Sequence, residues 1–416
     1  MTIYKQVVFI FILCLIINLD YSLAKKEKDK SHSEKQVKQD DNDALSEYTD
    51  FNLNSIVSSQ KSLVLTGRSD YLAGSISING VPYTVVIDTT TNYLIIAKKK
   101  CEGCTQFPPY YKESPVADQI QCDSPSCHSF GGNICEKPSK LDPPTCGYAT
   151  TLPNGASIRT NLVRDLISVD DFKNIPVLIA GIYEQEGSAS LQQAVFGIGP
   201  SCPLCPPSPL QTILTTLKKP YIFGISLDKN FFGGMSLGKI DPLLYSGSIN
   251  YTAMVRDPKL NYYSFLPSYI GSYWNGEIFH ILKGNLTLFH FKTASPLSYF
   301  PSPIYNQLKN FFKNGCKNDF TICSKIENLF NSTQCVILNQ QQIDQFPNIE
   351  IYFDEGFSLS LSPRIYLYSL TRDNQVYHCF GILETTSPTF TIGINLMREL
   401  YIIFDNDLSK IGFSKK

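Results

Sequence analysis

Three groups of residues in this chain have the types and spacing that chemistry requires. Gly234-Met235-Ser236-Leu237-Gly238 matches the nucleophile-elbow pattern, in which a sharp strand-to-helix turn exposes a serine. The next four residues, Lys239-Ile240-Asp241-Pro242, read as a turn and not as a helix start. The five histidines (His32, His128, His280, His290, His378) show no triad-like context, so the match is read as chance. Cys101-Glu102-Gly103-Cys104 and Cys202-Pro203-Leu204-Cys205 have the spacing of redox or zinc motifs. No thioredoxin-like βαβ pattern surrounds them, so structural disulfides are expected, with no metal site and no cofactor.

The third group is an internal repeat. In the first half, Val85-Val86-Ile87-Asp88-Thr89-Thr90-Thr91 is an apolar strand entering a turn, followed later by Val195-Phe196-Gly197-Ile198. In the second half the counterparts are Phe289-His290-Phe291-Lys292-Thr293-Ala294-Ser295 and Thr391-Ile392-Gly393-Ile394. Asp88 lies 109 positions before Gly197, and Lys292 lies 101 positions before Gly393. Near-equal spacing predicts two homologous lobes facing each other across a cleft. Asp88 by itself could be an ordinary turn aspartate, since aspartate is common in turns.

The elements that must position these turns read as strands. Residues 71–79 alternate in part and stop at Asn79-Gly80, a hairpin signal. β-branched and aromatic runs at 81–87, 93–97, 177–182, 221–227, 349–353, 390–394 and 401–404 predict further strands. The best helix candidate, 303–312, is short. Short strands separated by Gly and Pro turns predict an all-β fold.

Composition and leader agree on class and route. Hydrophobic residues make up 43% of the 416-residue chain and charged residues 18%, enough for a large core and two domains. A net charge of −1 argues against electrostatic nucleic-acid binding. Lys5 precedes an apolar run over 7–17, and Ser22 and Ala24 come after it with cleavage-site spacing, so 1–24 reads as a signal peptide. The rival reading is an uncleaved anchor, although the run is short for a membrane span. Residues 25–62 read as a charged linker or short pro-segment. Without Cys14, twelve of the 13 cysteines remain, an even number suited to a disulfide framework, and six of them lie in 101–146. Sequons begin at Asn250, Asn285 and Asn331. The expected address is secreted or endolysosomal, as a monomer with no membrane span after cleavage.

In Tyr83 through Thr91 the first turn resembles the Asp-Thr-Gly turn of the pepsin-like aspartic peptidases. Tyr299-Phe300-Pro301-Ser302-Pro303-Ile304-Tyr305 is similar to the segment after that family's second turn. Gly233 through Pro242 resembles its hairpin before the lobe crossing, and Phe390 through Phe413 its last strands. Gln121-Cys122-Asp123-Ser124-Pro125-Ser126-Cys127 is similar to the cysteine-rich insertion of the plant-type branch. The resemblance runs from Tyr71 to Phe413. It implies a bilobal pepsin-like fold with a central cleft, an N-terminal lobe over 63–250 and a C-terminal lobe over 251–416. It also implies that Cys335 pairs with Cys379; Cys316 with Cys323 is a plausible short loop.

The family's chemistry uses two carboxylates in contact, one protonated and one ionised, and needs no covalent intermediate. By resemblance Asp88 occupies the first position. The second is occupied by Lys292, which is expected to stay an ammonium, hold Asp88 ionised and lower its pKa. The turn glycines are replaced by Thr90 and Ala294, whose side chains are expected to crowd the site. Leu152 takes the place of the flap tyrosine, an alignment anchored by Leu162-Val163-Arg164-Asp165. These departures imply a pseudopeptidase that binds a peptide or protein in its cleft, for which inhibitors of plant cell-wall hydrolases on this fold are a precedent. The alternative is an active endopeptidase using Asp88 with an atypical partner.

Overall fold

A computed structural model describes residues 63–67, 71–136, 144–152, 155–187, 191–202, 205–256, 262–316, 320–330 and 335–416. The signal peptide, the charged segment over 25–62 and the sequon at Asn331 lie outside the described residues.

The chain folds as an all-β, bilobal structure in which the two halves of the repeat build alike. Strand Val81–Asp88 pairs in parallel with Ala194–Gly197, placing Gly197 opposite Asp88. Strand Phe289–Phe291 pairs in parallel with Phe390–Ile392, placing Ile392 opposite Phe291. Parallel neighbours cannot be joined by a tight turn, so the two parts of each repeat half are separated in sequence by a crossover, here filled by further strands. Each returning glycine passes directly under the turn it supports. A Cβ on Gly197 would lie 2.5 Å from the Thr91 carbonyl oxygen, and one on Gly393 would lie 2.2 Å from that of Leu297. No side chain fits there, so glycine is required in both motifs for close backbone approach.

A 15-stranded sheet links strands from distant parts of the sequence. The hairpin formed by Leu72–Ile78 and Val81–Asp88 turns at Asn79 and Gly80, both with positive φ (53° and 75°). Strand Ile222–Leu227 pairs on one side with Phe232–Leu237 and on the other with Leu400–Asp405, which pairs in turn with Lys410–Lys415. The end of the chain therefore closes the same sheet that carries the Asp88 hairpin. Among the described residues, three smaller sheets complete the second half. Its core is aromatic: Phe289 stacks on Phe390 with centroids 4.1 Å apart, and Phe265, Phe291, Phe353 and Phe413 pack together. Fully burying each such ring contributes about 2 to 3 kcal/mol.

Helix Ser302–Gly315 extends the sequence expectation for 303–312 by one residue before and three after. Pro303 starts it, and Ile304, Leu308, Phe311 and Phe312 form the buried stripe at helical spacing. Helix Phe320–Leu329 was not anticipated. Ile322, Ile326 and Leu329 do lie on one face and are buried, but a ten-residue segment opening on Phe-Thr-Ile carries little intrinsic helicity. Tertiary packing and the Cys316–Cys323 disulfide hold it in place. Long strands were also only partly legible. The expected 177–182 is the middle of Phe172–Glu186, which pairs with Ser157–Val169 along nearly its whole length. Both strands contain charged and polar residues that blur the alternation.

All twelve cysteines after Cys14 are disulfide-bonded. Within 101–146 the pairs are Cys101–Cys104, Cys122–Cys135 and Cys127–Cys146. The others are Cys202–Cys205, Cys316–Cys323 and Cys335–Cys379. The two Cys-x-x-Cys motifs are thus disulfides. No helix among the described residues is long and apolar enough to cross a membrane.

Candidate functional site

The two repeat turns meet through a pair of buried threonines. Thr89 donates its hydroxyl to the Phe291 carbonyl (2.8 Å), and Thr293 donates its hydroxyl to the Ile87 carbonyl (2.6 Å). Each hydroxyl also accepts the other threonine's backbone N–H, at 3.1 and 3.2 Å. Both residues are fully buried, so this reciprocal set locks one turn against the other. Asp88 immediately precedes the first threonine and Lys292 the second. The interlock consequently brings together two residues 204 positions apart in sequence.

Asp88 is partly accessible, and its Oδ1 accepts two hydrogen bonds from Thr90: the backbone N–H at 2.8 Å and the hydroxyl at 2.7 Å. Thr90 was expected to crowd the site. Its side chain instead points back to the carboxylate and braces it, as a short hydroxyl side chain in a turn can. Ala294, its counterpart, is exposed.

Lys292 lowers the Asp88 carboxyl as expected, but the expected net lowering does not hold. Burial pushes the Asp88 carboxyl above its ordinary range; the Thr90 bonds and the Lys292 charge oppose this and do not overcome it. Burial likewise pushes the Lys292 ammonium down, against the attraction of Asp88. Desolvation is the larger cause for both groups, and their mutual attraction acts without direct contact. Among the described residues Lys292 forms no ion pair within contact distance; its Nζ lies over the Tyr262 ring, 4.9 Å from the centroid. A cation over an aromatic face is attracted to it but gains less than in a charge-assisted hydrogen bond. The Tyr262 phenol is raised, first by burial and then by the Asp88 charge. Tyr262 is thus a third member of this cluster. Sequence reading missed it, because a tyrosine 30 positions before Lys292 carries no local signal.

The hairpin that carries Leu152 joins Thr145–Thr151 to Ser157–Val169. Leu152 closes it: its N–H donates to Ala156, and its carbonyl accepts from Gly155, whose φ is +89°. Leu152 is half-buried and packs with a cluster that includes Tyr93 and Tyr148, which stack at 4.6 Å. Asp165, which sequence reading used only as an alignment anchor, is a buried structural hub. It accepts hydrogen bonds from the Tyr111 hydroxyl, the Ser114 hydroxyl and N–H, and the Leu166 N–H.

The serine-elbow pattern has no elbow. Ser236 is buried inside strand Phe232–Leu237 and shares a 2.7 Å hydrogen bond with the Tyr401 hydroxyl. No group of three or more metal-ligating side chains occurs among the described residues. Asn250 and Asn285 are exposed.

Residues 277–415 match the family model described as xylanase inhibitor C-terminal, a domain of the pepsin-like aspartic peptidase family. The match supports that broad family and covers the C-terminal part of the chain, including Lys292 and the second half of the threonine interlock. A search of curated proteins found no match.

Proposed function

We propose that this protein is a secretory-pathway homologue of the pepsin-like aspartic peptidases that no longer hydrolyses peptides. On this reading it acts by binding a peptide or protein in the cleft between its lobes. The observation that carries the reading is the residue beside each interlocked threonine: Asp88 on one side, Lys292 on the other. Paired-carboxylate hydrolysis needs one carboxyl to donate a proton and one carboxylate to activate water. A single carboxyl fills one of these roles at a time, and the Lys292 ammonium can neither accept a proton from water nor replace the second carboxyl. One member of the acid–base pair is therefore missing, and that alone slows hydrolysis by about 10²–10⁴-fold.

The name of the matched family, xylanase inhibitor, describes proteins that bind an enzyme, which gives a binding role on this fold a precedent. The six disulfides and the signal-peptide pattern support a secreted or endolysosomal address, and the reading takes the protein as a monomer. The test is digestion of a diverse peptide library by the purified, glycosylated protein from acidic to neutral pH, alongside Asp88→Ala. The expected outcome is no cleavage by either folded protein. Cleavage that disappears in Asp88→Ala and is blocked by pepstatin would establish a one-aspartate peptidase instead.

A further inference from the structure

The two interlocked turns carry one carboxyl, Asp88, and one cation, Lys292, that no carboxylate contacts among the described residues. Lys292 is partly buried, rests on the Tyr262 ring and has no ion-pair contact among the described residues. Asp88 is held through Oδ1 alone; among the described residues no hydrogen bond reaches its Oδ2. Removing an ammonium from water is unfavourable unless an anion with good geometry meets it. An incoming carboxylate would give Lys292 the anion it lacks, and the unbonded Oδ2 of Asp88, on the facing turn, offers that carboxylate a second partner.

We infer that the cleft recognises a carboxylate of its peptide or protein ligand, seated on Lys292 and sharing one proton with Asp88. The ligand then supplies the carboxyl that the chain lacks. The inference rests on the peptide-binding reading above and specifies its ligand chemistry. No covalent bond forms or breaks. The Asp88 carboxylic acid donates its proton in a hydrogen bond to the ligand carboxylate, the arrangement that lets two carboxyl groups approach closely.

Among the described residues the charged group acting on Asp88 is Lys292, from the facing turn; the Tyr262 phenol, beneath Lys292, is itself raised by the Asp88 charge, and the turn of Asp88 contributes the Thr90 hydrogen bonds. Tyr262 is displaced upward and stays neutral in the acidic to neutral range, and Lys292 stays cationic at acidic pH. The pH dependence of binding therefore tracks Asp88. Affinity rises as pH falls from neutral, because the burial that favours protonated Asp88 makes its proton available to the complex.

The probes are three libraries of N-terminally blocked peptides with randomised flanks: central Glu with an amidated C-terminus, central Gln with an amidated C-terminus, and central Gln with a free C-terminus. Retention on the immobilised full-length protein is measured at mildly acidic and neutral pH. Retention of the amidated Glu library above the amidated Gln library supports a side-chain carboxylate. Preference for the free C-terminus supports a terminal one. In either case Lys292→Met should weaken retention about tenfold or more, the loss expected for one charge-assisted hydrogen bond. Asp88→Asn, which keeps a neutral hydrogen-bond donor, should preserve retention and remove its pH dependence. Equal retention of all three libraries would overturn the inference while leaving peptide binding intact, as would retention that ignores Lys292→Met. Failure of every library to bind would overturn the binding reading as well.

Discussion

Replacing Thr293 by Val tests whether the threonine interlock holds the two turns together. The substitution keeps the β-branched shape and removes one hydroxyl. Two hydrogen bonds disappear: the one donated to the Ile87 carbonyl (2.6 Å) and the one accepted from the Thr89 N–H (3.1 Å). The first loss costs about 1 kcal/mol, the usual net value of a neutral hydrogen bond. The second leaves the Thr89 N–H without its partner at a fully buried residue, which costs a further 1 to 3 kcal/mol or so. The expected destabilisation is about 2 to 4 kcal/mol, read from urea unfolding at neutral pH as a lower midpoint with unchanged slope. Thr84→Val, at an exposed position of the same sheet's Asp88 strand, is the control and should change stability by no more than about 0.5 kcal/mol. Thr293→Ser keeps the hydroxyl and gives up a methyl worth about 1 kcal/mol, so it should lose less than Val. A Thr293→Val loss below about 1 kcal/mol, or no larger than the control's, would refute the interlock as the joint between the turns.

Two further perturbations test the framework around the site. Burial alone would raise the Glu113 carboxyl, but hydrogen bonds from Lys98 and Gln119 and the Lys98 charge outweigh it and hold the carboxyl low. Its contribution is therefore present above the ordinary carboxylate range and is lost as pH falls through the lowered value. Glu113→Gln should be less stable than the parent by about 1 kcal/mol at most at neutral pH, with the gap closing toward strongly acidic pH; a gap that widens on acidification would contradict the assignment. The disulfides should differ by the loops they close. Replacing Cys335 and Cys379 by Ser opens a bridge spanning 44 positions and should cost about 4 kcal/mol. The Cys202 and Cys205 pair spans 3, and its removal should cost about 2 kcal/mol by the same chain-entropy argument. Equal losses on denaturant unfolding would show that strain or local packing, and not loop closure, sets their value.

Which features were legible in sequence depended on the range of the interactions behind them. The hairpin at Asn79-Gly80 reads directly from two residues, because left-handed backbone is a local property of that pair. The repeat was legible because each half needs the same run: an apolar strand, a turn, and a later glycine where no Cβ fits. That pattern, with the even cysteine count, was enough to point to a two-lobed β-protein stapled by disulfides. Helix Phe320–Leu329 stayed hidden because its own residues favour it weakly and its neighbours stabilise it. The extent of strands Ser157–Val169 and Phe172–Glu186 was hidden for a related reason, since pairing with each other carries them past the stretch that alternates.

At the site the division is sharper. Sequence alone determined that a lysine comes directly after Phe291 and that threonines occupy positions 89, 90 and 293, because identity and register need no third dimension. Only the tertiary structure decided how they meet. Thr90 was expected to obstruct and instead braces Asp88, since the direction of its hydroxyl depends on the folded turn. Lys292 was expected to depress Asp88, yet burial outweighs it, because the sign of a pKa shift is a contest between desolvation and distance, and neither quantity is written in the chain. Tyr262 entered the site with no motif at all: an aromatic face becomes a cation's neighbour only when two distant segments place it there.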